Sequence, residues 1–184
     1  NADLAGRPQL IHGTTQILYG GMQRLSEASV ISIKNRSHSI TAEVTVPEGG
    51  ASGVVVAQGS AFGGWSLYLA DGRPAYCYNL LGLRRFKIRG ADPVPAGDHQ
   101  VRAEFAYDGG GLAKGGTVTL YVDGSPVGEG RVDGTEPLIF SGDETTDVGA
   151  DTGTPVSDDY PAGENGFTGT VHRVAISIGA DVED

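Results

Sequence analysis

Apolar and polar residues alternate one by one through most of this chain, and a period of two is the signature of a half-buried β-strand. In SITAEVTV (39–46), Ile40, Ala42, Val44 and Val46 face one side while Ser39, Thr41, Glu43 and Thr45 face the other. HQVRAEFAY (99–107) and TVTLYVDG (117–124) repeat the pattern. Further strand candidates are GVVVAQG (53–59), GWSLYLADG (64–72), AYCYNL (75–80), RRFKIR (84–89), PVGEGRV (126–132) and FTGTVHRVAISIG (167–179). Helical periodicity is nearly absent. Asp-Gly at 71–72 and at 123–124 stands between strand-like runs, the commonest sequence of a type I′ hairpin. Many short strands joined by glycine-rich turns predict an all-β fold, an antiparallel sandwich of two sheets.

The glycine-rich segment between Phe105 and Gly124, FAYDGGGLAKGGTVTLYVDG, tests that reading. A Walker A loop needs G-x-x-x-x-G-K-[ST], but Lys114 precedes Gly115 and has no Ser or Thr beside it. A dinucleotide fingerprint opens a helix, whereas a strand-like run follows here. The segment is short and both flanks are good partner strands, so a hairpin with a wide loop is expected rather than a phosphate cradle or a linker.

At 184 residues the chain fits a single domain, 1–184, with 1–10 and 180–184 as connectors or frayed ends. It is long enough to bury roughly 70% of its unfolded surface without staples. The single cysteine, Cys77, rules out an internal disulfide, reads as a small core residue and leaves the compartment open. A net charge of −10 argues against nucleic acid or an anionic membrane surface as a partner. No run approaches the roughly 20 apolar residues of a membrane-spanning helix. The sequence opens NADLAGRPQ without an initiator methionine, so a fragment or a processed product is expected.

Catalytic signatures are missing. Sandwich glycosidases place two carboxylates two residues apart on one strand face. Within the strand candidates Glu43, Glu104 and Glu129 each lack such a neighbour. His12, His38, His99 and His172 are scattered, no G-x-S-x-G elbow is present, and nothing has zinc-ligand spacing.

Two segments suit ligands. In SGDETTDVGADTGTPVSDDY (141–160), carboxylates sit among Gly, Ser and Thr, which fits either calcium on Asp143, Asp147 and Asp151 or a merely solvated acidic loop. The second groups Trp65, Tyr68 and Tyr78 with Asn79, Arg84 and Arg85, rings and polar groups of the kind a glycan or sulfated ligand uses. The alternative for the lone tryptophan is a place in the core. In YNLLGLRR the alternation breaks after Asn79, which predicts a turn whose exposed leucines meet another surface. Asn35-Arg36-Ser37 is a formal glycosylation sequon.

NRSHSITAEV (35–44), GGWSLYLADG (63–72), YNLLGL (78–83), EFAYDGGGLAKGGTVTLYVDG (104–124), IFSGDETTDVGADTGTPV (139–156) and FTGTVHRVAI (167–176), in this order, carry a resemblance to the C-terminal region of bacterial arylsulfatases. It extends over roughly Leu10 to Ile178. The resemblance implies a concanavalin A-like, laminin-G-like jelly roll. The sulfatase nucleophile motif C/S-x-P/A-x-R is absent, since Cys77 is followed by Tyr78, Asn79, Leu80 and Leu81. What is implied is therefore the non-catalytic accessory domain of such an enzyme, with the catalytic domain of the same natural chain as its partner and Arg84 and Arg85 near the mouth of the sulfate site. The rivals are a free-standing lectin-like carbohydrate-binding module, with or without calcium, and a diverged glycosidase.

Overall fold

The computed structural model describes residues 14–138, 140 and 145–179. His12, Asp143 and the expected end segments 1–10 and 180–184 lie outside the described residues.

The strands are β1 (Thr15–Tyr19), β2 (His38–Val46), β3 (Gly53–Ser60), β4 (Gly63–Ala70), β5 (Arg73–Leu80) and β6 (Arg84–Arg89). They continue with β7 (Gly97–Tyr107), β8 (Lys114–Val122), β9 (Ser125–Gly134), β10 (Thr146–Val148) and β11 (Thr170–Ile178). They form a six-stranded sheet in the order β1-β11-β2-β7-β8-β9 and a five-stranded sheet in the order β10-β3-β4-β5-β6. Every pairing of neighbouring strands is antiparallel.

The core lies between the sheets, and its largest fully buried members include Trp65, Tyr76, Ile40, Leu67, Leu120 and Ile176. Strand β2 shows the simplest case, with buried and half-buried residues in strict alternation from His38 to Val46. In β3, β4 and β5 nearly every residue is buried. Their second face carries its own cluster, Val54, Ala57, Tyr68, Ala75 and Cys77, with Tyr160 packed on it. The loop of residues 149–169, between β10 and β11, lies over this face like a strap. The five-stranded sheet is thus buried on both sides, which weakens its alternating pattern.

The turns agree with their sequences. Asp71 and Gly72 have φ of 51° and 77°, Asp123 and Gly124 have 50° and 81°, and positive φ at both central positions is what a type I′ turn requires. The glycine-rich segment is the hairpin loop between β7 and β8, with Tyr107 opposite Gly116 and the Asp108 N–H donating to Gly115 O at 3.0 Å. Asn35 is tied to this loop: its Oδ1 accepts from the Ala113 N–H (2.9 Å) and its Nδ2 donates to Pro137 O (3.1 Å).

Candidate functional site

Two surfaces stand out, and both are organised by the strap. Its anchors are carboxylates. Asp147 Oδ1 accepts from the Arg24 N–H at 2.7 Å, and its Oδ2 accepts from the Thr152 N–H (2.9 Å) and hydroxyl (2.8 Å). Asp151 Oδ2 accepts from the Val156 N–H (3.0 Å) and the Tyr160 hydroxyl (2.7 Å). Both residues are buried, Asp147 in β10 and Asp151 in the strap, and these oxygens accept from donors of the chain itself. Among the described residues no group of three or more His, Cys, Asp or Glu side chains is arranged to hold a metal ion.

The first surface is an apolar tip. The β3–β4 turn carries Phe62, 71% exposed, and the β5–β6 turn carries Leu81 and Leu83, 50% and 84% exposed. The turns touch, since a Cβ built on Gly82 would lie 3.6 Å from Phe62 Cα. Asn79 holds them together from below. Its Oδ1 accepts from the Gly82 N–H (2.8 Å), and its Nδ2 donates to Ala61 O (3.0 Å) and to Val156 O on the strap (3.0 Å). Arg85 Nε donates to the same Val156 carbonyl at 3.1 Å. Arg84 is exposed, pairs with Asp133 at 3.1 Å and lies 4.6 Å over the Phe86 ring.

The second surface is a groove of about 480 Å³ on the outer face of the five-stranded sheet. Its lining includes Tyr68, Ala70 and Ala75 from the sheet, Asp71 from the β4–β5 turn, Arg73 and Arg89, and Asp159, Tyr160, Glu164 and Asn165 from the strap. Asp159 is the electrostatic centre, accepting from the Tyr68 hydroxyl (2.5 Å), Lys87 Nζ (2.9 Å) and Arg89 Nη2, which reaches both of its oxygens at 2.8 Å. Burial alone would raise its carboxyl, but these donors outweigh that and hold it at about 2. Burial and then the Asp159 hydrogen bond push the Tyr68 phenol upward. Cys77, beneath the strap, is pushed up to about 11, chiefly by burial, which makes it an inert thiol.

The five-stranded sheet divides the expected aromatic cluster between its two faces. Trp65 faces the core and gives its indole N–H to Gln58 Oε1 at 2.9 Å, so it offers no ring to a ligand. Tyr78 is buried too, its hydroxyl accepting from the Glu136 N–H at 2.8 Å. Asn79 is fully buried and acts as a clamp. Of the expected ligand residues only Tyr68 reaches the groove, while Arg84 and Arg85 lie by the tip and the strap. The sequence reading held Asp159 only as part of the acidic segment 141–160, and it missed Phe62, Arg73, Arg89 and Tyr160 as site residues. An aromatic residue inside the acidic run SDDYP was the available signal for the last. The histidines are less scattered than expected, for His99 and His172 line one depression with Glu43, Asp98 and Asp123.

Compared by sequence, the chain matches no family model and no curated protein. Compared by fold, it is similar to mouse laminin α1 chain domains LG4-5, with 16% identity, a TM-score of 0.52 and 93% of this chain covered. It spans only 40% of that laminin chain. It is also similar to the CBM40 of the Ruminococcus gnavus IT-sialidase, solved with α2,3 sialyllactose (14% identity, TM-score 0.57) and with α2,6 sialyllactose (13%, 0.58). These matches cover 95% of this chain and 95% and 96% of the CBM40 chains. At such identities the likeness establishes the fold: a jelly roll of the concanavalin A and laminin-G type.

Proposed function

We propose that the chain is the non-catalytic accessory β-sandwich of an arylsulfatase-like enzyme, packing through its apolar tip against the catalytic domain of the same natural chain. The observation that carries this reading is the tip itself. Phe62, Leu81 and Leu83 are large, exposed and adjacent on two turns, whereas an exposed apolar residue standing singly would need no explanation. The partner comes from the arylsulfatase resemblance of the sequence. In this role the sandwich covers and shapes one side of the catalytic domain and performs no chemistry. The test is the intact mass of the natural gene product together with hydrogen exchange on it. A product of about 19.0 kDa, or a tip that exchanges as freely in the whole protein as in the isolated domain, overturns the reading.

A second reading is a lectin-like carbohydrate-binding module. The groove over Tyr68 favours it, since it combines guanidinium, carboxylate and apolar surface within the volume range of small-molecule sites. The sialyllactose-bound CBM40 structures share the fold and give the reading its class of ligand. A glycan array on the isolated domain tests it directly. The two readings are compatible, because tip and groove are separate surfaces.

A further inference from the structure

We infer that the groove between the strap and the β4–β5 hairpin binds an acidic sugar residue, with the Arg73 guanidinium taking its carboxylate or sulfate. This rests on the lectin-like reading above and assigns it a site and an ionic requirement.

The groove is a built surface rather than a gap. At one end the strap closes over the sheet, with Tyr160 donating to Asp151 Oδ2 and in hydrogen bond with Ser66 Oγ at 2.9 Å. At the other end the strap stands against β3, where Val54 bridges to Gly166 and the Val54 N–H donates to Asn165 O at 2.8 Å. The buried Asn165 fixes this wall: its Oδ1 accepts from the Asp151 N–H (2.9 Å), and its Nδ2 donates to Asp151 O (2.9 Å) and Pro161 O (2.8 Å). Between these fastenings the small side chains of Ala70 and Ala75 keep the floor open.

The two arginines differ in what they have left to offer. Arg89 spends Nη2 on both oxygens of Asp159, so its charge is neutralised inside the site. Arg73 donates through Nε to Ala91 O at 3.0 Å and forms no ion pair among the described residues. That bond orients the guanidinium and leaves its terminal nitrogens for a forked contact with a planar or tetrahedral anion. Asp71 and Glu164 in the same lining supply acceptors for hydroxyl groups. One anionic group among many hydroxyls is the chemistry of an acidic sugar. A polyanion suits the site less, because a chain of net charge −10 repels it at a distance.

The test is titration of the folded domain, followed by calorimetry and amide NMR, with sialyllactose, a sulfated galactose and lactose. Either acidic sugar is expected to bind at least about tenfold more tightly than lactose, and Arg73→Gln is expected to remove about that factor. Tm should stay unchanged, and Arg131→Gln on the other sheet should bind like the parent. Preference between the two acidic sugars distinguishes carboxylate from sulfate. Equal binding by Arg73→Gln, or equal binding of lactose, overturns the site while the lectin-like reading stands. Binding of none of the three sugars, with a glycan array also blank, overturns both.

Discussion

Asn79 and Val156 stand 77 residues apart in the chain, yet the Asn79 amide donates to the Val156 carbonyl at 3.0 Å inside the protein. The same side chain caps the β5–β6 turn and grips the β3–β4 turn, so one residue joins the strap to both loops of the tip. Asn79→Ala would take their side-chain partner from the Gly82 N–H and the Ala61 carbonyl, while the Val156 carbonyl would keep only Arg85 Nε. A loss of about 2–4 kcal/mol is expected, because each orphaned group costs its own desolvation. Chemical denaturation at constant m-value measures it. A loss under about 0.5 kcal/mol, the size of an ordinary surface substitution, would mean that the clamp holds nothing.

Gly53 tests the wall of the groove. Its φ is +105°, and a Cβ there would stand 2.3 Å from Gly166 O and 2.8 Å from Asn165 O, both backbone atoms. Gly53→Ala must therefore part the strap from β3. A cost of about 2–4 kcal/mol is expected from overpacking and the left-handed backbone together. Faster amide exchange at Val54 and at Phe167, which donates to Gly149 O, should accompany the change. Unchanged exchange there would show that the strap is held elsewhere.

These two residues also show where sequence reading succeeds and where it stops. Strands with one face toward water were legible: β2 alternates residue by residue, and RRFKIR is bounded by the turns its neighbours predict. The Leu-Leu-Gly-Leu break was legible as a turn with exposed leucines, and Leu81 and Leu83 are exposed. The strap was not, since it holds the sheet through contacts, such as Tyr160 on Ser66 and Gly166 beside Val54, at sequence separations that no local pattern encodes. Tyr78 met the same limit, since beside arginines it looks like a ligand ring until the pleat turns it inward, whereas for Trp65 the core alternative is the one that holds. Strands β1 and β10 escaped for a different reason: β1 buries only Leu18 well, and β10 is three residues long inside an acidic segment.

Asp159 makes stability depend on acid. Its carboxyl is held at about 2 in the fold, below the ordinary 3.8. A group with a depressed folded value contributes stability that is complete above the unfolded value and is lost as pH falls through the folded one. Asp159→Asn should therefore lower Tm at pH 7, and the difference from the parent should shrink between about pH 4 and pH 2. A difference that stays constant across this window would mean that the contact with Lys87 and Arg89 contributes through shape and not charge.

The acidic loop makes a prediction about metal removal. Asp147 through both oxygens, and Asp151 through Oδ2, already accept hydrogen bonds from Arg24, Thr152, Val156 and Tyr160, and a cation would have to displace these donors. Dialysis against EDTA is expected to leave Tm unchanged, and added calcium to raise it by less than a degree or so at concentrations near millimolar, the weak end of protein sites. A fall on chelation, restored by calcium, would mean that the carboxylates exchange these donors for a cation.

The tip separates stability from association. Leu83 is 84% exposed and Phe62 is 71% exposed, so neither contributes much to the isolated fold. Phe62→Ser with Leu83→Ser should change the stability of the isolated domain by no more than about 0.5 kcal/mol, the ordinary range for surface sites. If the proposed accessory role holds, the same pair placed in the whole protein should expose the domain junction to protease and lower the melting temperature of the attached domain, because side chains that water reaches in the isolated sandwich would be buried there. Asn79→Ala should do both kinds of damage, since it loosens the turns that present the two side chains. If the paired surface variant leaves the whole enzyme as protease-resistant as its parent, the tip is not the docking surface.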